Sequence, residues 1–192
     1  MKILAIDTAT EACSASLLID GQVSSHYQLA PREHSRLILQ MIDDLLLQAG
    51  IAISQLDAIA FGRGPGSFMG VRIAAGVVQG IAFAHDIPVI AVSTLKAIAQ
   101  RAHNETQCSN ILVAIDARMD EVYWAQYSLL DDSWHLEGQE IVISPDNIDV
   151  SPILSATESS WVGAGTGWGS YAQRLLAPGN SGLQAMLPEC FP

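Results

Sequence analysis

Apolar residues open the chain in short unbroken blocks. Residues 2–7 (KILAID) and 13–19 (CSASLLI) each have the length of a strand, and Asp20-Gly21 supplies a tight turn before a third strand at 23–29. After Pro31 the apolar period lengthens: Leu37, Ile38, Met41, Ile42, Leu45, Leu46 and Ala49 recur at helical spacing. That pattern predicts a helix with Ser35 as its N-cap and Gly50 as its stop. A strand at 56–61 then leads into the turn Gly62-Arg63-Gly64-Pro65-Gly66-Ser67, a second helix over about 68–85, a strand at 88–92 and a third helix over about 94–102.

Three strands, a helix, a strand, a helix and a strand is the order of a ribonuclease-H-like half, an antiparallel meander feeding parallel strands through crossovers. The polar stretch 103–110 (HNETQCSN) makes a boundary, giving a first half at 1–103 and a smaller second half at 104–192. The pattern restarts with strands at 111–116, 122–130 and 136–143, a short helix near 145–154, a strand at 161–163 and a final helix near 169–176. Ile6-Asp7 and Ile115-Asp116 both end a first strand on an aspartate. The expected fold is therefore α/β, two ribonuclease-H-like halves of the kind found in actin-like ATPases and sugar kinases.

Composition narrows the reading. With 192 residues and 49% apolar content the chain can build a core, and its net charge of −11 repels phosphate, so strong direct binding of nucleic acid is not expected. Cys13, Cys108 and Cys190 form no C-x-x-C pair and leave an odd thiol, which fits a reducing compartment. The apolar stretches are expected to stop short of a membrane-spanning length, and the N-terminus runs straight into a strand rather than a cleavable leader. A cytoplasmic protein with no membrane contact is expected.

Several places bear chemistry. Asp7-Thr8 stands where an actin-like ATPase places its first phosphate loop, and an active kinase or ATPase would use Asp7 and Asp116 around Mg²⁺. The bland alternative is that Asp7 accepts hydrogen bonds from turn amides. The matching second loop, Asp116-Ala117-Arg118-Met119-Asp120, carries side chains where a phosphate loop needs glycine. Gly163 and Gly165, with Gly167 and Gly169, offer either a nucleotide contact or a packed strand-to-helix turn. The turn 62–67 offers either an anion site or a plain turn capped by Ser67. No two of the five histidines lie three or four residues apart, and His34 is expected to line the first helix rather than bind metal. Gly76 and Gly80, with Ala84, notch the second helix at four-residue spacing, which either packs on this chain's own sheet or admits another helix. The second reading makes Leu37, Met41 and Leu45 on the first helix and Ile73, Gly76, Val77, Gly80 and Phe83 on the second a partner interface.

The segments ILAIDTATEACSASLL, PREHSRLILQMI, FGRGPGSFMGVRIAAGVVQGIA, PVIAVSTL, AIDARMDEVYWAQY and VGAGTGW occur in the order and spacing of the TsaB (YeaZ) family, which the chain resembles over most of residues 1–169. The resemblance implies a non-catalytic scaffold. Such a subunit pairs through its first half with the metal-dependent subunit TsaD, is joined by the ATPase TsaE, and supports threonylcarbamoyl transfer to adenosine 37 of tRNA. It implies no cofactor or metal for the chain alone, ATP and Mg²⁺ at the assembled complex, and a homodimer through the first two helices when alone. Thr94 and Ile98 fall where TsaD carries its two metal-binding histidines. A metalloprotease, suggested for relatives, would need an H-E-x-x-H-like pair that the sequence lacks. Met69 stands where the family usually has threonine. The resemblance also implies that the second half is incomplete at its end.

Overall fold

The computed structural model describes residues 1–155, 160–176 and 183–192, which divide into two compact units, Met1–Thr94 and Leu95–Pro192. In the first unit β1 (Lys2–Asp7), β2 (Ala12–Ile19), β3 (Gln22–Leu29), β4 (Ala58–Gly62) and β5 (Val89–Val92) form one sheet in the order β3-β2-β1-β4-β5. The meander β1-β2-β3 is antiparallel, with Leu4 opposite Leu17 and Ala15 opposite His26, while β1, β4 and β5 run parallel. Helices α1 (His34–Ala49) and α2 (Phe68–His85) supply the crossovers that parallel pairing requires. Leu4, Ile6, Cys13, Ala15, Leu17 and Ile59 from the strands close a core with Ile38, Ile42 and Leu45 of α1 and Ala74 and Val78 of α2. This core fixes where β1 ends, and so where Asp7 stands.

In α1 the stop falls at Gly50 as its sequence predicts, in the left-handed conformation, with its N–H returned to the Leu46 and Leu47 carbonyls. The start differs. The helix begins at His34 behind Glu33, and Ser35 lies inside it, because the buried His34 ring is held by its Nε2 against the Ala12 carbonyl at 3.2 Å and brings the first turn forward.

The second unit holds α3 (Thr94–Thr106, from Leu95 on), β6 (Asn110–Arg118), β7 (Glu121–Leu130), β8 (Ser133–Ile143), α4 (Ser151–Ser155), β9 (Trp161–Ala164), α5 (Thr166–Leu175) and β10 (Leu183–Leu187), with strand order β10-β9-β6-β7-β8. β6 is apolar on both faces for a physical reason. Ile111, Val113 and Ile115 pack under Leu95, Ile98, Ala99 and Ala102 of α3, while Leu112 and Ala114 pack under Trp168 and Leu175 of α5. Because α3 buries its apolar face here, the division of the chain falls after Thr94 rather than at 103/104.

Two further expectations are corrected. β10, a fifth strand beside β9, lies beyond the final helix and was not anticipated. α2 has 18 residues at a mean hydropathy of 1.3, long and apolar enough by length and composition to cross a membrane, because its glycines and Gln79 interrupt it without adding charge. It is nevertheless seated on the first unit's sheet through Gly70, Ala74 and Val78.

Candidate functional site

The turn between β4 and α2 is built around the loop that follows β1. A Cβ on Gly62 would overlap the Asp7 carboxylate, one on Gly66 the Ala9 carbonyl and one on Gly70 the Thr8 carbonyl. Glycine at these positions lets two stretches of backbone meet where any side chain would hold them apart. The turn is tied further by Ser67 N–H to the Ala9 carbonyl at 2.6 Å and by Arg63 N–H to the Val92 carbonyl at 2.8 Å. Ser67 caps α2, its Oγ accepting from the Gly70 N–H at 3.3 Å. Gly62, Gly66 and Gly70 of the glycine-rich signature are thus required by packing.

Asp7 and Thr8 are equally committed. Asp7 Oδ1 accepts from the Ala9 N–H at 2.7 Å, and the Thr8 hydroxyl donates to the Gly70 carbonyl at 2.7 Å. Asp7 is 8% exposed, and burial raises its carboxyl to about 6, opposed by the Ala9 hydrogen bond and by the adjacent Thr94 hydroxyl. That hydroxyl is buried and lies outside full hydrogen-bonding geometry. The nearby Asp7 charge also helps to hold the Cys13 thiol at about 11, after burial.

In the second unit the loop after β6 runs through Arg118, Met119 and Asp120, all at positive φ, so side chains stand on a backbone that glycine would favour. Asp116 accepts from the Arg118 N–H at 2.8 Å and lies 3.3 Å from the Ser170 hydroxyl. Arg174 of α5 forks onto Asp146 at 2.8 and 2.7 Å and reaches Asp120 at 3.1 Å. Its hydrogen bonds hold the exposed Asp146 carboxyl below the ordinary range. Gly163 and Gly165, offered either as nucleotide contacts or as a packed turn, are both closely packed. A Cβ on Gly163 would strike the Trp168 ring and one on Gly165 the Ala114 carbonyl, and the Gly165 N–H donates to the Leu187 carbonyl at 3.0 Å. Trp168 itself is pinned by its Nε1–H to the Leu112 carbonyl at 2.8 Å. Within each unit, then, the Ala9, Ser67, Arg118 and Gly165 N–H groups are bonded within the chain.

Among the described residues no group of three or more His, Cys, Asp or Glu side chains could hold a metal ion. Thr94 and Ile98 are fully buried, Ile98 in the core beneath α3.

The proposed interface divides along its two helices. On α1 the assignment is corrected for Met41 and Leu45, which are 7% and 1% exposed and pack against the chain's own sheet; Leu37 is half-buried. On α2, Ile73 and Val77 are half-buried, whereas Gly76, Gly80 and Phe83 are exposed, Phe83 at 90%. A Cβ added at Gly76 or Gly80 meets nothing within 4 Å, so the chain's own packing does not require glycine there. Phe68 and Met69 extend this open face toward the helix start, where the Arg72 guanidinium lies over the Phe68 ring at 3.3 Å. Spacing alone misassigned the α1 residues because the seven apolar positions of that helix cover more than one face.

The family model described as TsaD, tRNA N6-adenosine threonylcarbamoyltransferase, matches residues 23–161. The tRNA threonylcarbamoyladenosine biosynthesis protein TsaB of Escherichia coli is 47% identical over 169 residues, covering 88% of this chain and 72% of its own length. Its counterpart in Haemophilus influenzae is 44% identical, covering 90% and 75%. The structure of YeaZ from Pseudomonas aeruginosa superposes with a TM-score of 0.91 at 49% identity, over all of this chain and 85% of that one. The chain belongs to the TsaB (YeaZ) family and has a role in tRNA threonylcarbamoyladenosine biosynthesis.

Proposed function

We propose that the chain is a non-catalytic docking subunit: it binds a TsaD-type transferase through α2 and so supports threonylcarbamoyl transfer to tRNA without supplying a reacting group. The observation that carries this reading is the open face of α2. A helix-interior glycine costs roughly 1 kcal/mol relative to alanine. Gly76 and Gly80 incur that cost with empty space around them, which has a purpose if another helix comes close. Large apolar side chains left in water on the same helix, Phe68, Met69 and Phe83, point the same way.

The remaining residues are consistent with a supporting role. Asp7, Thr8, Gly163 and Gly165 are engaged within the chain, and a surface of charge −11 leaves the tRNA to a partner. In this reading a TsaE-type ATPase joins the pair, and ATP with Mg²⁺ belongs to the assembly, in the cytoplasm where tRNA is modified. Reconstitution with an unmodified tRNA transcript, the cognate TsaD-type and TsaE-type subunits and threonylcarbamoyl-adenylate tests it. Transfer is expected only when the chain is present with its partners. Full transfer in its absence, or transfer by the chain alone, contradicts the proposal.

A further inference from the structure

The edge of a sheet is a row of main-chain N–H and C=O groups with no strand beyond it, and proteins ordinarily blunt it by charge, proline, a bulge or shortness. Among the described residues three of the four sheet edges are blunted in this way. β5 and β10 have only four and five residues, and β8 carries Glu137 and Glu140 on either side of a register shift around Gly138. β3 differs. Its eight residues hold an unbroken register against β2, include no Asp, Glu, Lys, Arg or Pro, and are all exposed except His26. Val23, Tyr27 and Leu29 are large apolar side chains left in water on one face of the strand. We infer that β3 is an association edge whose occupant is β3 of a second copy of this chain, paired antiparallel about a two-fold axis at His26. Two five-stranded sheets then become one. The inference is independent of the reading of α2.

The hairpin fixes the register. Asp20 and Gly21 both have positive φ, the two-residue turn in which the flanking pair, Ile19 and Gln22, exchanges hydrogen bonds. Bonding alternates from there, so residues 22, 24, 26 and 28 turn their main chain toward β2 while 23, 25, 27 and 29 turn it outward. The Ala30 N–H, which donates to the Glu11 carbonyl at 3.1 Å, continues the inward series. A two-fold interface is self-complementary, and outward residues must meet outward residues, so the axis passes through one residue and not between two. Centred on His26, the pairing sets Val23 against Leu29 and Ser25 against Tyr27, and these four pairs exchange about eight hydrogen bonds. Centring on Ser25 sets Leu29 against Gly21 of the turn, and centring on Tyr27 sets Val23 against Pro31, which has no N–H to give. Charge agrees with this choice. At −11 the chain repels its own copy in general, and β3 contributes none of that charge. The antiparallel arrangement also brings Asp20, before one strand, toward Arg32, just past the end of the other, where Glu33 is already paired with Arg36.

Sedimentation of the full chain tests this, together with cross-linking. The wild-type chain is expected to dimerise at about 100 µM, the weak association of an interface smaller than about 1,200 Å². Val23→Lys stands at an exposed position and reduces the net negative charge, so general repulsion falls. Dimerisation is nevertheless expected to weaken on the order of tenfold, because the contact with Leu29 is lost twice in each dimer, with melting temperature unchanged. His26→Cys is expected to link to itself with oxidised glutathione, since two residues opposed without hydrogen bonds lie about 4.5 Å apart at Cα. Ser24→Cys is expected to link to Gln28→Cys and not to itself, and the native thiols are buried away from this reaction. The yield from His26→Cys is expected to be the same when Gly80→Leu is added on α2. Overturning results are a wild type that stays monomeric at about 500 µM, a Val23→Lys chain that dimerises normally, or Ser24→Cys linking to itself as readily as His26→Cys. If Gly80→Leu alone abolishes the dimer, the copies meet through α2 and the β3 pairing fails.

Discussion

Asp7 carries the clearest consequence of burial on a single residue. Its carboxyl sits at about 6 in the fold against an ordinary 3.8, because desolvation penalises the charged form. The folded state therefore holds this proton more tightly than the unfolded chain does. The stability it contributes is fully present below about pH 4 and is lost as pH rises through about 6, on the order of 3 kcal/mol for a shift of this size. Asp7→Asn, which keeps an oxygen for the Ala9 N–H, is expected to raise the urea midpoint at pH 7.5 and to flatten its dependence between pH 4 and 7. A lowered midpoint at pH 7.5 would show instead that the charge is compensated. Gly70 carries the opposite kind of constraint. A methyl there meets the Thr8 carbonyl, which is backbone and cannot rotate away, so Gly70→Ala is expected to destabilise the first unit by about 1–3 kcal/mol in the same titration.

Among the elements, α2 separates the needs of folding from those of association. Gly76→Ala and Gly80→Ala place a methyl in open space on a regular helix, so each is expected to stabilise the isolated chain by roughly 0.5–1 kcal/mol, read as a rise in melting temperature. The same variants are expected to bind the TsaD-type subunit more weakly. A loss of stability would place the glycines in the chain's own packing. How much of this was legible in the sequence depends on how far each signal is local. The strands β1, β2 and β6, the Gly50 stop and the Ser67 cap follow from runs and turn residues that act within a few positions, and the glycine spacing of α2 was visible as spacing. The side of α1 that would meet the sheet was not, since Met41 and Leu45 are as apolar as an interface residue and only the position of Leu17 and Ile59 assigns them to the core. The placement of α3 with the second unit likewise depends on Ile111 and Val113, which lie across a polar turn from it. β10 follows the turn-rich segment 177–182 (APGNSG), but its five residues, LQAML, alternate only weakly, and its pairing with β9 is a tertiary fact.

For the whole molecule, the net charge bears on what the chain can bind. A chain of net charge −11 gains nothing from counterion release, so no tRNA retention is expected in filter binding at physiological salt, and retention by the chain alone would contradict the division of labour. In the proposed reading the chain's contribution rests on docking through α2. Isothermal titration of the cognate TsaD-type subunit with the wild-type chain and with Gly80→Leu tests this most directly. The account predicts saturable binding for the wild type and at least a hundredfold loss for the variant, on the order of the 3 kcal/mol that a disrupted central contact costs, with the variant's circular dichroism and melting unchanged. Equal affinity of the two chains would contradict it.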